Sequence, residues 1–194
     1  MTGLANASTL YVGSTQPYKT IQDAVNAAKD GDTIKVQTGV YNENVIIRGK
    51  NVILQGVKYP KVYGFETYGG TADISGFSVT KNGIVYHDAG GSNTIRNNKI
   101  SKIGIRISGT ACSGNIIINN LLTNCGISLY DSWGNTITGN KISKATTGIY
   151  LGDGAQCKTI SNNAISNCGT GIVKGDTTTS IKNNKYSKNK INLK

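Results

Sequence analysis

The sequence predicts an all-β fold: a right-handed parallel β-helix with three strands per coil, about eight coils and an N-terminal amphipathic capping helix. Three observations lead there. A phrase of the form Asn-Thr-Ile-x-Asn-Asn-Lys-Ile-Ser recurs five times, beginning at Asn93, Asn115, Asn135, Lys158 and Thr179. Its anchoring asparagines, Asn98, Asn120, Asn140, Asn163 and Asn184, are 22, 20, 23 and 21 residues apart, a length that fits one three-stranded solenoid turn. The composition, 25 glycines, 22 asparagines and two prolines in 194 residues, describes short strands joined by tight bends.

The prediction is one domain, 1–194, in three stretches: a cap strand and helix over 1–32, irregular first coils over 33–92, and regular coils over 93–194. Ser8–Val12 reads as a strand. Thr20–Lys29 reads as a helix, with Thr20 as its cap, Ile21, Ala24, Val25 and Ala28 on one face, and Gly31 as its stop. Such a helix has a physical use, because the first coil would otherwise expose its apolar interior and unpaired backbone. Strands resume at Thr33–Gln37, Asn44–Ile47 and Asn51–Gln55, each β-branched and bounded by Gly or Asn. Asp73–Thr80 then aligns with the repeat, except that Phe77 stands in the asparagine column. The last residues, Lys190–Lys194, fall inside a strand, so that edge is expected to stack end to end, meet a further domain, or be guarded by Lys185, Lys188, Lys190 and Lys194.

The segments Tyr18–Ala28, Gly31–Val36, Gly39–Ile47 and Lys50–Gly56 resemble the opening of pectin-lyase-like right-handed parallel β-helices. Pectin methylesterases begin similarly, as do carbohydrate-binding and sugar-hydrolase modules and the copper-accessory β-helix proteins of denitrifiers. The resemblance implies three strands per coil and a column of stacked asparagines at the turn between the second and third, counted from the strand that opens with Gly-Ile. Asn98, Asn120, Asn140, Asn163 and Asn184 match that column, which assigns them a structural role. An Asn there tolerates unusual backbone angles and offers both donor and acceptor, so identical residues one coil apart form a ladder.

The net charge of +11, from 21 basic and 10 acidic residues, reads either as scattered solubilising lysine or as a preference for an acidic partner, such as an anionic polysaccharide, a wall polymer, nucleic acid or an anionic membrane. Nucleic acid is disfavoured, since no aromatic-and-basic reader motif occurs. No apolar run approaches the roughly 20 residues a bilayer span needs. Ala5-Asn6-Ala7 before Ser8 looks like a small-residue cleavage site without its apolar segment, and the expected location is extracellular or at the cell surface. Aligning the coils puts Ile103, Cys125, Ala145 and Cys168 in one inward column, with Cys112 and Cys157 elsewhere in their turns. Cys125 and Cys168 are two coils apart, about 9 to 10 Å, beyond disulfide reach. All four cysteines are read as buried thiols, with disulfides to other partners left open.

Function must come from outward residues. A Gly-Ile-x-apolar pattern marks one strand of each coil, at Gly83, Gly104, Gly126, Gly148 and Gly171. Strand alternation sends Val85, Arg106, Ser128, Tyr150 and Val173 outward, and two places on His87, Ser108 and Tyr130. One step further is an aspartate column, Asp88, Asp131, Asp153 and Asp176.

Arg106, Tyr130, Tyr150 and His87 are thus the candidate ligand-binding residues, with the tyrosines placed to stack on sugar rings. The resemblance adds an enzymatic alternative: lyases of this fold use an Arg or Lys base beside calcium-binding carboxylates, which here implies Arg106 with Asp131 and Asp153. Like charges one coil apart suggest that Asp131, Asp153 and Asp176 hold a cation, calcium being the candidate; the competing reading is turn aspartates bonding their own backbone. The esterase segments Gln-Asp-Thr-Leu and Asp-Phe-Ile-Phe-Gly, the polygalacturonase aspartates and the epimerase Asp-Pro-His are all missing. The leading expectation is therefore a non-catalytic module binding anionic polysaccharide, with a calcium-dependent polysaccharide lyase or epimerase and a structural spacer as alternatives.

Overall fold

The computed structural model describes residues 7–175 and 178–194, and in it every strand pairing is parallel. The chain forms a parallel β-helix of about nine turns, one more than the repeats suggest. The extra turn comes from β1 (Thr9–Val12), which pairs in register with β2 (Thr33–Val36) beneath the irregular coils. Next come β3 (Val40–Gly56), β4 (Lys61–Ser75) and β5 (Ser78–His87), long strands that run through the bends without a break. From residue 94 the coils become regular, as β6 (Thr94–Arg96), β7 (Lys99–Ser101) and β8 (Ile105–Ser108), and this triplet repeats to β20 (Ile191–Leu193).

The triplets stack into three walls. Ile95, Ile117, Ile137 and Ile160 point inward from the first, Ile100, Leu122, Ile142 and Ile165 from the second, and Ile105, Ile127, Ile149 and Ile172 from the third, all buried. Side chains alternate along each strand, so the residues between these face outward. Full burial of each Ile contributes about 1.5–3 kcal/mol, which makes a narrow column sufficient as a core.

The helix α1 (Ile21–Ala27) covers one end of that column with Ile21, Ala24 and Val25. Its anchoring is reciprocal. The Asp23 N–H donates to Thr20 Oγ1, and the Ile21 and Gln22 N–H groups donate to the Glu43 carboxylate. At the other end Lys50 Nζ donates to the carbonyls of Val25, Asn26 and Ala28. Gln22 bonds both the N–H and the carbonyl of Ile46, as a neighbouring strand would. The helix stops at Ala27, earlier than expected, because Ala28 turns extended at φ −64° and ψ 146°. Gly31 does not cap it; its φ of 88° serves a later turn, where the Gly31 N–H reaches the Asn51 carbonyl.

The repeated Asn-Asn pair divides its work. The first member adopts positive φ, 56° at Asn97, 55° at Asn119, 56° at Asn162 and 56° at Asn183, and Gly139 replaces it at 65°. The second member forms the ladder. Asn98 Nδ2 donates to Asn120 Oδ1 at 3.2 Å, and the contact repeats at 3.0 Å for Asn120 to Asn140, Asn140 to Asn163 and Asn163 to Asn184. Each Oδ1 also accepts the backbone N–H of the preceding ladder residue, and each Nδ2 donates to a carbonyl of the first wall one coil back. The unusual backbone angle expected of the ladder residues therefore belongs to their neighbours. Phe77, at the head of the column, contributes only its N–H, donated to Asn98 Oδ1.

A second ladder, unforeseen, fills the corner before the first wall. Asn93 donates to Asn115 at 2.8 Å and Asn115 to Asn135 at 2.9 Å, all three fully buried. The next member is Cys157, because a bulge displaces Lys158 from the column that the repeat implied.

Asn120→Ala removes an amide that satisfies a carbonyl, a backbone N–H and a neighbouring amide. It is expected to cost about 3 kcal/mol or more and to lower the melting temperature clearly. Asn119→Gly is expected to leave that temperature nearly unchanged, whereas Asn119→Val lowers it, since a β-branched residue resists positive φ.

Candidate functional site

The third wall carries two outward columns. One runs Glu66, Val85, Arg106, Ser128, Tyr150 and Val173, and the other Arg48, Tyr68, His87, Ser108 and Tyr130. Arg106 lies with its guanidinium carbon 4.9 Å from the Tyr130 ring centroid, and Tyr130 meets Tyr150 at 5.7 Å and 53°. Gly152 gives the Tyr130 ring its space, since a Cβ there would fall 2.5 Å from Cδ1. These side chains line a cleft of about 480 Å³ together with Lys102, Ile103 and Ser128.

His87 belongs to a separate cluster. It stacks on Tyr68 at 4.7 Å and 11°, and Arg48 covers the same tyrosine at 4.2 Å. Glu66 accepts from the Tyr68 hydroxyl and from Asn44 Nδ2, both at 2.7 Å, and these bonds hold its carboxyl below the usual range. Tyr68, Arg48 and Glu66 escaped the sequence reading because their coils lack the repeated phrase. The signal was there: Phe65-Glu-Thr-Tyr68 registers against Ile84-Val-Tyr-His87.

The aspartates edge this wall. Asp88 and Asp131 have φ of 43° and 46°, and the Asp131 N–H donates to the Asp153 carbonyl at 2.9 Å. Their carboxylates rest on glycines of the following coil, Asp88 on Gly109 and Asp131 on Gly154, where a Cβ would lie 1.8 and 2.5 Å from the respective Oδ1. Among the described residues no three His, Cys, Asp or Glu side chains converge as a cation site, and Asp176 lies outside those residues.

All four cysteines are buried, and Cys112, Cys125 and Cys168 are free thiols. Cys125 and Cys168 point inward with Ala145, but Ile103 departs from that column and is 54% exposed. There β5 runs straight beneath it, and Gly83 abuts the Ile103 carbonyl so closely that a Cβ would lie 2.6 Å from the oxygen.

A stack of parallel coils with amide-laddered corners, a helical lid and a continuous outer face defines a β-helix scaffold. Compared with known families, residues 25–194 match the one described as periplasmic copper-binding protein (NosD). The chain belongs to that family. Its periplasmic description agrees with an extracytoplasmic, cell-envelope location. No curated protein and no solved structure gives a significant match. Among the described residues no helix is long and apolar enough to cross a membrane.

Burial pushes the Cys112 and Cys125 thiols up from the usual 9.0 to about 11. Folding therefore favours the protonated form, and the stability this contributes is intact below pH 9 and lost as pH rises toward 11. Unfolding free energy is expected to fall across that window in urea titrations. Cys125→Ala is expected to flatten the decline, and native thiols to resist a disulfide reagent at pH 8.

Proposed function

We propose that the chain is a non-catalytic cell-envelope module that holds an anionic polysaccharide along the outer face of the third wall. The observation that carries this reading is the contiguity of Arg106, Tyr130 and Tyr150 over successive coils, beside an open cleft. The tyrosine rings offer broad apolar area with little rotamer entropy to lose, and Arg106 offers a planar donor fork to a sugar carboxylate. His87, Tyr68 and Arg48 continue the same wall toward the helical lid, so a chain of several sugars has a track along the axis. Asp131 and Asp153 border this track.

The family's description includes copper, and the described donor set does not fit a copper centre within one chain. Copper(I) takes soft thiolate and thioether ligands or imidazole. The single histidine is stacked against Tyr68, and the cysteines are separately buried, with Cys112 and Cys125 held in the thiol form. Against a competing chelator the purified chain is expected to retain no copper(I), as read by metal analysis of the desalted protein.

Tyr150→Ala and Arg106→Ala are each expected to weaken binding of polygalacturonate or alginate by roughly fivefold, measured by calorimetry. Unchanged affinity in both variants would remove the third wall as the site. Calcium-dependent release of unsaturated uronate, followed by absorbance and abolished by Arg106→Ala, would replace this reading with that of a lyase built on Arg106, Asp131 and Asp153.

A further inference from the structure

The second wall presents a lysine array that the binding face above does not use. From residue 57 on, the segments that build this wall and its two corners, 57–63, 76–82, 97–104, 119–126, 139–147, 162–170 and 183–190, contain ten lysines and no Asp or Glu; the coil before them, with Val40, carries Glu43, which is engaged by the helix start. The excess of positive over negative charge is therefore concentrated on this wall, where ten of the 21 basic residues stand without acids among them. Within the wall the order is sharper still. One outward column reads Lys61, Ser78, Lys99, Leu121, Lys141, Ala164, Lys185, with each residue paired in register to the next. Lysine occupies every second coil and an uncharged residue every coil between.

The corner that follows repeats the alternation from Lys102 onward, as Lys102, Asn124, Lys144, Asn167, Lys188, whereas the coil before it carries Lys81 at the equivalent position. All five have positive φ, from 54° to 75°. Asn is the residue suited to that conformation, and it fills the intervening coils; lysine stands there against backbone preference, in the same coils whose strand also carries lysine. The strand row steps by two coils throughout and the corner row does so from Lys102 onward, both exposed. At the spacing of paired strands this step is about 9.6 Å, and the row from Lys61 to Lys185 is about 29 Å long. The apolar side chain between Lys99 and Lys141, Leu121, is 43% exposed, so the gaps are uncharged rather than recessed.

We infer that the second wall is a docking face for an extended linear polyuronate lying parallel to the solenoid axis. A two-fold extended polyuronate turns a carboxylate to the same side at every second sugar, which is the pattern this wall answers with a lysine at every second coil. A planar anionic surface has no use for that alternation, because mobile headgroups follow charge wherever it stands. The inference goes beyond the third-wall reading and stands on different residues.

The test uses the full chain and polygalacturonate oligomers of increasing length, with affinity measured at several salt concentrations. Lys99→Gln/Lys141→Gln/Lys185→Gln is expected to weaken binding about tenfold or more and to flatten its salt dependence. A control of equal charge on the first wall, Lys35→Gln/Lys158→Gln/Lys182→Gln, is expected to change affinity by no more than about twofold. A charge-conserving swap, Lys99→Leu/Leu121→Lys, separates spacing from charge and is expected to lose affinity although net charge is unaltered. Equal losses in the triple variant and its control, or a swap that binds like the native chain, would overturn the inference. So would binding to phosphatidylglycerol vesicles with none to the oligomers. Melting curves of each variant establish that the fold is intact, and Tyr150→Ala, run alongside, reports on the third wall independently.

Discussion

Two of the three corners of the solenoid interrupt the ladder of backbone hydrogen bonds between coils, and stacked amides bridge the gap at both. A buried N–H or carbonyl without a partner is costly, and the corners are buried on their inner side. Asn120, for one, accepts the Asn98 N–H from the neighbouring coil and donates to the Ile95 carbonyl and the Asn140 amide oxygen. Because the same residue must recur at the same place in every coil, the ladder also fixes register. Register in turn decides which side chains share a wall. The tyrosine track and the lysine rows both inherit their alignment from buried amides that touch neither.

The lid obeys the same requirement by other means. Helix ends and a sheet edge both carry unpaired backbone groups, and here they meet. Glu43 takes two N–H groups from the helix start, Lys50 takes three carbonyls from its end, and Gln22 substitutes for a strand against Ile46. Side chains from one coil thereby fasten the helix that covers it. The opening segments whose resemblance pointed to a β-helix are largely this fastening, which explains why they speak to fold and say little about ligand.

The periodic part of the fold was legible because identical physical demands recur in it. The strands, their inward isoleucines and the amide column all follow from the repeat spacing, and Arg106, Tyr130 and Tyr150 fall on one face once that spacing is known. What escaped was local. Asn93, Asn115 and Asn135 open the repeated phrase, but Lys158 and Thr179 stand at that place in the later repeats, so their column is not continuous in the sequence as the second asparagine column is. The replacement of the next member by Cys157 depends on a bulge that no residue count reveals. Tyr68 and Arg48 lie where strands run straight through their bends, so no turn residue marks the register. Ile103 is exposed where its column is otherwise buried, and its backbone meets Gly83 of the preceding coil, a contact that is invisible along the chain.

The alternation on the second wall bears on how such a molecule lengthens. Each coil touches only its neighbours, so duplicating a single coil within the array would preserve the core and both amide columns. It would nevertheless set two lysine-bearing coils, or two neutral ones, side by side and throw the rows out of phase. Duplicating a pair leaves the phase intact. The unit of growth for the fold is one coil, whereas the unit of growth for that surface is two, and gene duplications retained by selection on the surface would come in even numbers.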